Sequence, residues 1–400
     1  MQIIFLATDS LSSPGSGGRY FPLARALVRL GQQVTWVGLH HDYASTKQHR
    51  FAVNGVEIWY IGQMHVRKVA SRKIYFNPLT MLWIAAWATW GLFRAAWKLN
   101  GDIIHVCKSQ PMNLLAAWMV HKLRGTPVYL DSSDYEALVN RFQHVWQQKI
   151  VAWFEDWSPS FMSGITVQST FLAERFQSLG YPRDRIYLIP HGIDEERFAV
   201  LDRQDVAQTL DRLKQSLGIT PKDRVIVYVG SMSLVLHAVD ILMEAFVMIL
   251  KSEPSAFLLM IGGGEDYDAL REMARRLGIE SRVCFVGKVD SAQVPYYYRL
   301  GEVSVDSRRD SAVAQASLPL KVLESIATGI PCVATDTGDT GKVLDGAGKI
   351  VTPGDANALA QGILEIVNNP QVVEQMRTVA MTLRHQYSWN ILAQRLLKIY

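Results

Sequence analysis

The chain has 400 residues, 49% apolar and 20% charged, which excludes a disulfide miniprotein or an extended disordered or collagen-like chain and implies two folded domains. Lysine plus arginine number 41 against 37 acidic residues, and a formal charge of +4 is too slight to argue for a nucleic-acid partner. Cys107, Cys284 and Cys332 stand far apart with no CxxC spacing, so neither a disulfide framework nor a zinc site is indicated, and a reducing cytoplasm fits. In chain order, residues 2–8 read as a first buried strand, since an apolar run of five residues without a basic stretch ahead of it is too short for a signal peptide. Ser16-Gly17-Gly18-Arg19 opens a helix that ends at Leu30-Gly31. Further strands are predicted at 33–39, 56–61, 102–106, 127–131, 164–167 and 185–189. Residues 79–93 carry no charge, but as helix they span about 22 Å against a hydrocarbon thickness of about 30 Å, so they are not expected to cross a bilayer. After a charged stretch, 194–223, that marks the domain junction, strands recur at 224–229, 256–261, 282–286, 302–305 and 331–335. This alternation of short apolar strands with helices predicts an α/β protein of two doubly wound domains facing each other across a cleft, with ligands beyond the carboxyl ends of the strands.

The segment from Ser317 to Pro331 concentrates the chemistry. Ser317 as N-cap, Pro319 in the first turn and Gly329 past the end frame a short helix. Its N-terminus offers unpaired amides and partial positive charge to a phosphate, and Lys321 adds a formal charge. Glu324 lies one turn deeper on the same face, where a carboxylate can accept two hydrogen bonds from a ribose diol; alternatively Lys321 and Glu324 form an i, i+3 surface ion pair.

Four segments of the second half, in order, resemble the donor-binding domain of glycosyltransferase family 4, of the GT-B fold: Pro190-His191-Gly192-Ile193-Asp194 with Phe198; Val229-Gly230-Ser231-Met232 followed by 239–246; Ile261-Gly262-Gly263-Gly264-Glu265 with 283–287; and Pro319 to Pro331. The first half resembles the family less tightly, through the glycine loop at Gly17 and Gly18, the 102–105 strand and the acidic loop Asp131-Ser132-Ser133-Asp134-Tyr135-Glu136. The glycine string also reads as a flexible turn. The resemblance implies two Rossmann-like domains, residues 1–200 on the acceptor side and 201–375 binding a nucleotide-sugar, with a helix in 376–400 packing back on the first. It implies a retaining, metal-independent hexosyltransferase that needs no cofactor beyond the nucleotide-sugar donor. The donor-binding residues it implies are Gly17, Gly18, Gly230, Ser231, Gly263, Gly287, Ser317, Leu318, Pro319, Lys321 and Glu324, and the catalytic candidates are Lys321, His237 and Asp134. The chain departs from the family at Ala316, where the partner of Glu324 would stand, and at Ser231 and His237, where cations are usual. The diphosphate clamp then falls to Lys321, Arg19, backbone amides and His237 if protonated, although His237 reads equally as a solvent-facing helix start.

No acidic cluster of metal-binding density occurs, and Asp134-Tyr135-Glu136 and Asp336-Thr337-Gly338-Asp339 read as caps or turns. Trp83, Trp87, Trp90, Arg94 and Trp97 fall on one helical stripe, and Arg67, Lys68, Arg72 and Lys73 precede it. Indoles favour the water–lipid boundary and basic clusters favour anionic headgroups, which points to attachment at the inner face of the membrane and a glycan or lipid-linked acceptor; the alternative is a core-packed stripe beside a solvated loop. The expected role is sugar transfer in polysaccharide or glycolipid biosynthesis, with no nucleic-acid partner. A nucleotide-sugar epimerase of the same fold and a catalytically idle nucleotide-sugar binder are the alternatives.

Overall fold

The structure is a computed structural model that describes every residue except 14, 70, 71, 141 and 143, and the side chains of 68, 69, 72, 73, 75 and 236 also lie outside the description. It divides into two compact units, Met1–Gly192 with Trp389–Tyr400, and Ile193–Ser388.

The strands of the first unit are β1 (Gln2–Leu6), β2 (Gln33–His40), β3 (Arg50–Val53), β4 (Val56–Gln63), β5 (Val66–Val69), β6 (Arg72–Tyr75), β7 (Ile103–Cys107), β8 (Val128–Ser132), β9 (Gly164–Val167) and β10 (Ile186–Leu188). Eight of them form one sheet in the order β10-β9-β8-β7-β1-β2-β4-β3, parallel except for β3. β7, β8 and β9 are buried along their whole length, as expected where helices cover both faces of a parallel sheet. The β3–β4 hairpin turns at Asn54-Gly55, both with positive φ, the pair that a tight two-residue turn requires. β5 and β6, a separate antiparallel pair, carry the basic segment that the sequence analysis treats as the membrane-facing stretch.

The second unit holds β11 (Arg224–Val229), β12 (Ala256–Ile261), β13 (Val283–Gly287), β14 (Val303–Asp306), β15 (Cys332–Thr335) and β16 (Gly348–Val351). They form one six-stranded sheet in the order β13-β12-β11-β14-β15-β16. All pairs are parallel, and the order reverses between β11 and β14.

The unit boundaries differ from the expected 200/201 and 375/376. Helix Pro370–Gln386 contributes Ala380 and Leu383 to an apolar cluster with Val322, Leu323 and Ile326, and so belongs to the second unit. Helix Trp389–Leu397 returns to the first unit, where Trp389, Leu392 and Leu396 pack with Leu23 and Leu27. The crossing segment explains Gly192: a Cβ there would lie 2.4 Å from the Trp389 indole, so only glycine lets the two approach.

The tryptophan helix runs Pro78–Leu99, longer than the uncharged stretch alone. Among the described residues no helix is long and apolar enough to cross a membrane. Its stripe is not core: Trp83, Trp87 and Trp90 are 64%, 55% and 47% exposed.

Candidate active site

In the second unit the strand order reverses between β11 and β14, the place in such a sheet where ligands lie beyond the strand ends. Gly230 follows β11 and Gly262-Gly263-Gly264 follow β12. The two loops pack backbone against backbone: a Cβ on Gly262 would meet the Gly230 carbonyl oxygen at 1.9 Å, and one on Gly264 would meet that of Met232 at 2.2 Å. The Met232 amide donates to the Gly263 carbonyl at 3.1 Å and the Gly262 amide to the Gly287 carbonyl at 2.8 Å. The glycines are thus required by loop packing, which brings Gly230, Gly263 and Gly287 into one cluster.

Lys321, in helix Leu320–Thr328, reaches this cluster from the far side. Its chain passes 3.2 Å from the Cβ position of Gly230, and its ammonium lies 3.2 Å from Asp306 Oδ1 and 3.3 Å from the Tyr228 hydroxyl, over that ring. Asp306 ends β14 and is fully buried; Arg308 Nε sits 3.2 Å from its other oxygen. Neither contact is an aligned hydrogen bond, so the pairing is chiefly Coulombic. Arg308 itself is buried and donates to Ala314 O, Ser317 O, Ser317 Oγ and Thr340 Oγ1. Two cations on one carboxylate leave the cluster with net positive charge. Although burial works against ionisation, the two cations hold the Asp306 carboxyl below its ordinary range.

His237 closes the same cluster through its carbonyl, which accepts from Ser307 Oγ at 3.0 Å. The charge of Lys321, with burial second, pulls the His237 pKa down to about 3, so the imidazole is neutral near pH 7 and the condition on which it would join the cationic clamp is not met. The ring is nonetheless part of the cluster, since its Nδ1 is buried with no hydrogen-bond partner among the described residues. Ser231 is exposed at the loop edge, its carbonyl accepting from Tyr228 Oη at 2.8 Å.

Glu324 does not pair with Lys321. Oε1 accepts from Arg197 Nη2 at 2.6 Å and Oε2 from Tyr298 Oη at 3.1 Å, because the two side chains of the predicted i, i+3 pair each meet a longer-range partner. A carboxylate offers about four lone-pair sites, and these bonds use two of them. The cap is corrected as well: Pro319 is the N-cap, with no side-chain cap bond, and Ser317 ends the preceding helix Ala312–Ala316, its Oγ donating to Val313 O. Pro-Leu-Lys cannot start the helix from Ser317 because the backbone stays extended through Pro319. Leu318 is buried with Val322 and Leu323 and can offer a ligand only its backbone.

Gly17, Gly18 and Asp134 belong to the first unit. Ser16–Tyr20 forms a π-helical turn leading into helix Phe21–Arg29. Arg19 is not free to clamp a phosphate: it is fully buried, pairs through Nε and Nη2 with both Asp131 oxygens at 2.9 and 3.0 Å, and donates to the carbonyls of Pro190 and Ile189. Despite its burial, Asp131 is held down at about 2, chiefly by Arg19. The strand order of this sheet reverses between β1 and β7, and Lys108, directly after β7, has φ +69°, a backbone that costs a non-glycine residue about 1–3 kcal/mol. Its ammonium lies 3.0 Å from Asp134 and 3.1 Å from Glu136, and its Cε lies 3.1 Å from the Cβ position of Gly15. Asp134 therefore stands beside the glycine turn as half of an ion pair. Behind it, buried Glu155 accepts the amides of Glu136 and Ala137 at 3.0 Å each, and burial pushes its pKa up to about 7.

Tyr228, Asp306, Arg308, Lys108, Arg197 and Tyr298 are the site residues that sequence reasoning misses. For Asp306, Arg308 and Lys108 the signal is present: each is a charged residue at the end of a strand flanking a reversal of strand order. Among the described residues no group of three or more His, Cys, Asp or Glu is placed to hold a metal.

The profile of the family described as Glycosyl transferases group 1 matches residues 223–369, and that of the Glycosyl transferase 4-like domain matches residues 15–192. N-acetyl-alpha-D-glucosaminyl L-malate synthase of Bacillus anthracis is 25% identical over 71% of this chain and 70% of its own length. A GDP-mannose-dependent alpha-(1-6)-phosphatidylinositol monomannoside mannosyltransferase of Mycolicibacterium smegmatis is 27% identical over 52% of this chain, and the match spans about half, 53%, of that protein. Anabaena HepE in complex with UDP has the same fold at TM-score 0.72 and 17% identity, over 100% of this chain and 99% of that one. Sucrose-phosphate synthase of Thermosynechococcus elongatus superposes at TM-score 0.75 and 17% identity, over 100% and 98%. With both parallel-sheet units matched in chain order, the chain belongs to the group 1 glycosyl transferases of the GT-B fold.

Proposed function

We propose that this protein transfers a glycosyl group from a nucleotide-sugar donor to a hydroxyl acceptor, with retention at the anomeric carbon and without a metal ion. The observation that carries the reading is the buried Lys321–Asp306–Arg308 cluster at the reversal of strand order. It supplies net positive charge beside a glycine-lined backbone, which suits a leaving diphosphate stabilised by preorganised groups. Lys321 supplies that charge, neutral His237 serves as a hydrogen-bonding group toward the sugar, and Asp134 with Lys108 orients the acceptor. Glu324 takes the ribose through its carboxylate.

Related proteins support the class of donor: Anabaena HepE has been solved with UDP and with UDP-glucose, and relatives in Mycolicibacterium smegmatis and Mycobacterium tuberculosis are named as GDP-mannose-dependent. Relatives in Mycobacterium leprae and Mycobacterium tuberculosis are phosphatidyl-myo-inositol mannosyltransferases by name, which supports a lipid-linked acceptor, glycolipid or polysaccharide synthesis, and attachment to the inner face of the membrane. The exposed tryptophans and Arg67, itself exposed, support that attachment, while the side chains of Lys68, Arg72 and Lys73 lie outside the described residues. The idle-binder reading keeps one observation in its favour: buried Ala316 stands where the family has an acidic residue. The relatives named above are transferases and synthases, so the epimerase reading is not carried forward.

Thermal-shift screening against a panel of UDP- and GDP-sugars tests the reading, because a ligand that binds only the native state raises the melting temperature. One donor is expected to raise it, and to be hydrolysed or transferred in EDTA. No shift with any nucleotide sugar would overturn donor binding, binding without turnover would favour the idle binder, and activity lost in EDTA and restored by Mn²⁺ would overturn metal independence.

A further inference from the structure

We propose that the groove between helix Pro78–Leu99 and β4 binds an anionic diacyl phospholipid, with its chains against the tryptophans and its phosphate at the basic end of the helix. The inference deepens the membrane-attachment reading and rests on it. The groove has a volume of about 510 Å³, and no acidic residue is among those that line it. One wall comes from β3 and β4, at Arg50, Trp59 and Ile61. The helix approaches this wall closely because residue 91 is glycine: a Cβ there would sit 2.8 Å from Ile61 Cδ1.

Along the other wall the helix sorts its residues by chemistry. Trp83, Ile84 and Trp87 occupy the N-terminal part, and Arg94 and Lys98 occupy the C-terminal part of the same face. At 1.5 Å rise per residue the two parts are about 16 Å apart along the axis, which separates a hydrocarbon end from a charged end. Arg94, Lys98 and Arg50 are exposed, and among the described residues none of them is in an ion pair; Arg50 lies 3.8 Å over the Trp59 ring. Unpaired cations over an apolar floor with no carboxylate complement a phosphate that carries hydrocarbon.

Two observations favour a bilayer lipid with two chains. A second groove of about 370 Å³, lined by Ala85, Ala86, Met112, Met119 and Phe154, flanks the helix and shares Trp90 with the first. In the first turns of the same helix Leu79 and Leu82 are 81% and 58% exposed, which extends the exposed apolar surface beyond the tryptophans.

Isothermal titration with dihexanoyl phosphatidic acid, below its critical micelle concentration, probes the groove without a bilayer. Binding is expected, weakened by salt, and at least about tenfold tighter than that of dihexanoyl phosphatidylcholine. The double variant Arg94→Glu/Lys98→Glu, on exposed positions, is expected to keep its melting temperature and to bind at least about 30-fold more weakly, since losing two cations costs about 5-fold each and the new carboxylates repel the phosphate further. Ile84→Glu, which places charge under the chains, should weaken binding as well. Equal affinity for the two lipids, or charge reversals without effect, would overturn the proposal. So would tighter binding of farnesyl phosphate than of the diacyl probe, or concentration-dependent dimers that bury the tryptophans. Sedimentation with phosphatidylglycerol vesicles separates the two layers. Soluble-lipid binding without vesicle binding upholds the groove and sinks membrane attachment, whereas vesicle binding unaffected by the variants sinks the groove alone.

Discussion

Arg19→Met tests whether the cation beside the glycine turn serves the ligand or the fold. Arg19 and Asp131 are 1% and 0% exposed and share two hydrogen bonds of 2.9 and 3.0 Å, and two further bonds run to the Pro190 and Ile189 carbonyls. Removing one partner of a buried pair costs about 3–5 kcal/mol, and each carbonyl left without a donor adds to that. Taking about 4 kcal/mol, at roughly 2–4 °C per kcal/mol for a unit of this size, the transition of the first unit should fall by about 8–16 °C. The pH dependence supplies a second check. Asp131 is held at about 2 against an ordinary 3.8, so this group contributes stability above pH 3.8, worth about 2.4 kcal/mol, that is lost as pH falls through 2. In the variant the carboxyl loses its guanidinium and its pKa rises, so the gap between wild type and variant should be widest at pH 7 and narrow toward pH 3. Circular-dichroism melts at pH 7, 5 and 3.5, with titration of inorganic pyrophosphate at pH 7, read both quantities. A variant as stable as wild type that binds pyrophosphate more weakly would refute the reasoning and return Arg19 to the ligand.

Lys321→Met should weaken binding of a nucleoside diphosphate by about 10- to 150-fold, the worth of one charged hydrogen bond, and unchanged affinity by calorimetry would exclude Lys321 from the clamp. Burial holds Glu155 near pH 7 instead of 4.5, so the stability tied to its neutral form is complete below pH 4.5 and is lost as pH rises through 7. Glu155→Gln should therefore gain up to about 3 kcal/mol on wild type between pH 5 and pH 8, and melts with parallel pH profiles would count against it. Gly192→Ala drives a Cβ to within 2.4 Å of Trp389 and should cost about 1–3 kcal/mol; Gly192→Ala with Trp389→Leu should recover part of that loss, and strict additivity of the two changes would show that they do not touch.

The strands are legible from local composition where they are central and apolar. β11 and β12 match their predicted ends, because a strand covered on both faces is written as a continuous apolar run bounded by turn residues. The edges are not: β3, only Arg50–Val53, and β16, only Gly348–Val351, carry too short an apolar signal to be separated from a turn. The C-terminal region reads as one helical stretch, yet it is cut at Tyr387-Ser388 and its two helices serve different units, a division set by which core each apolar stripe meets.

The candidate site divides in the same way. Sequence alone determines that glycines 230, 262, 263 and 264 follow strands and that Lys321 and Glu324 share a helix face, since these are local facts of spacing and periodicity. The partner of each charge is decided by tertiary structure. Lys321 turns to Asp306 and Tyr228, Glu324 to Arg197 and Tyr298, and Arg19 to Asp131, across as many as 127 residues of chain. Helical periodicity says which side chains are neighbours within one turn, but a buried charge is governed by desolvation, and it pairs with whichever opposite charge the sheet order delivers to the same strand ends. That order, with β11 beside β14 in one sheet and β1 beside β7 in the other, is a property of the assembled fold.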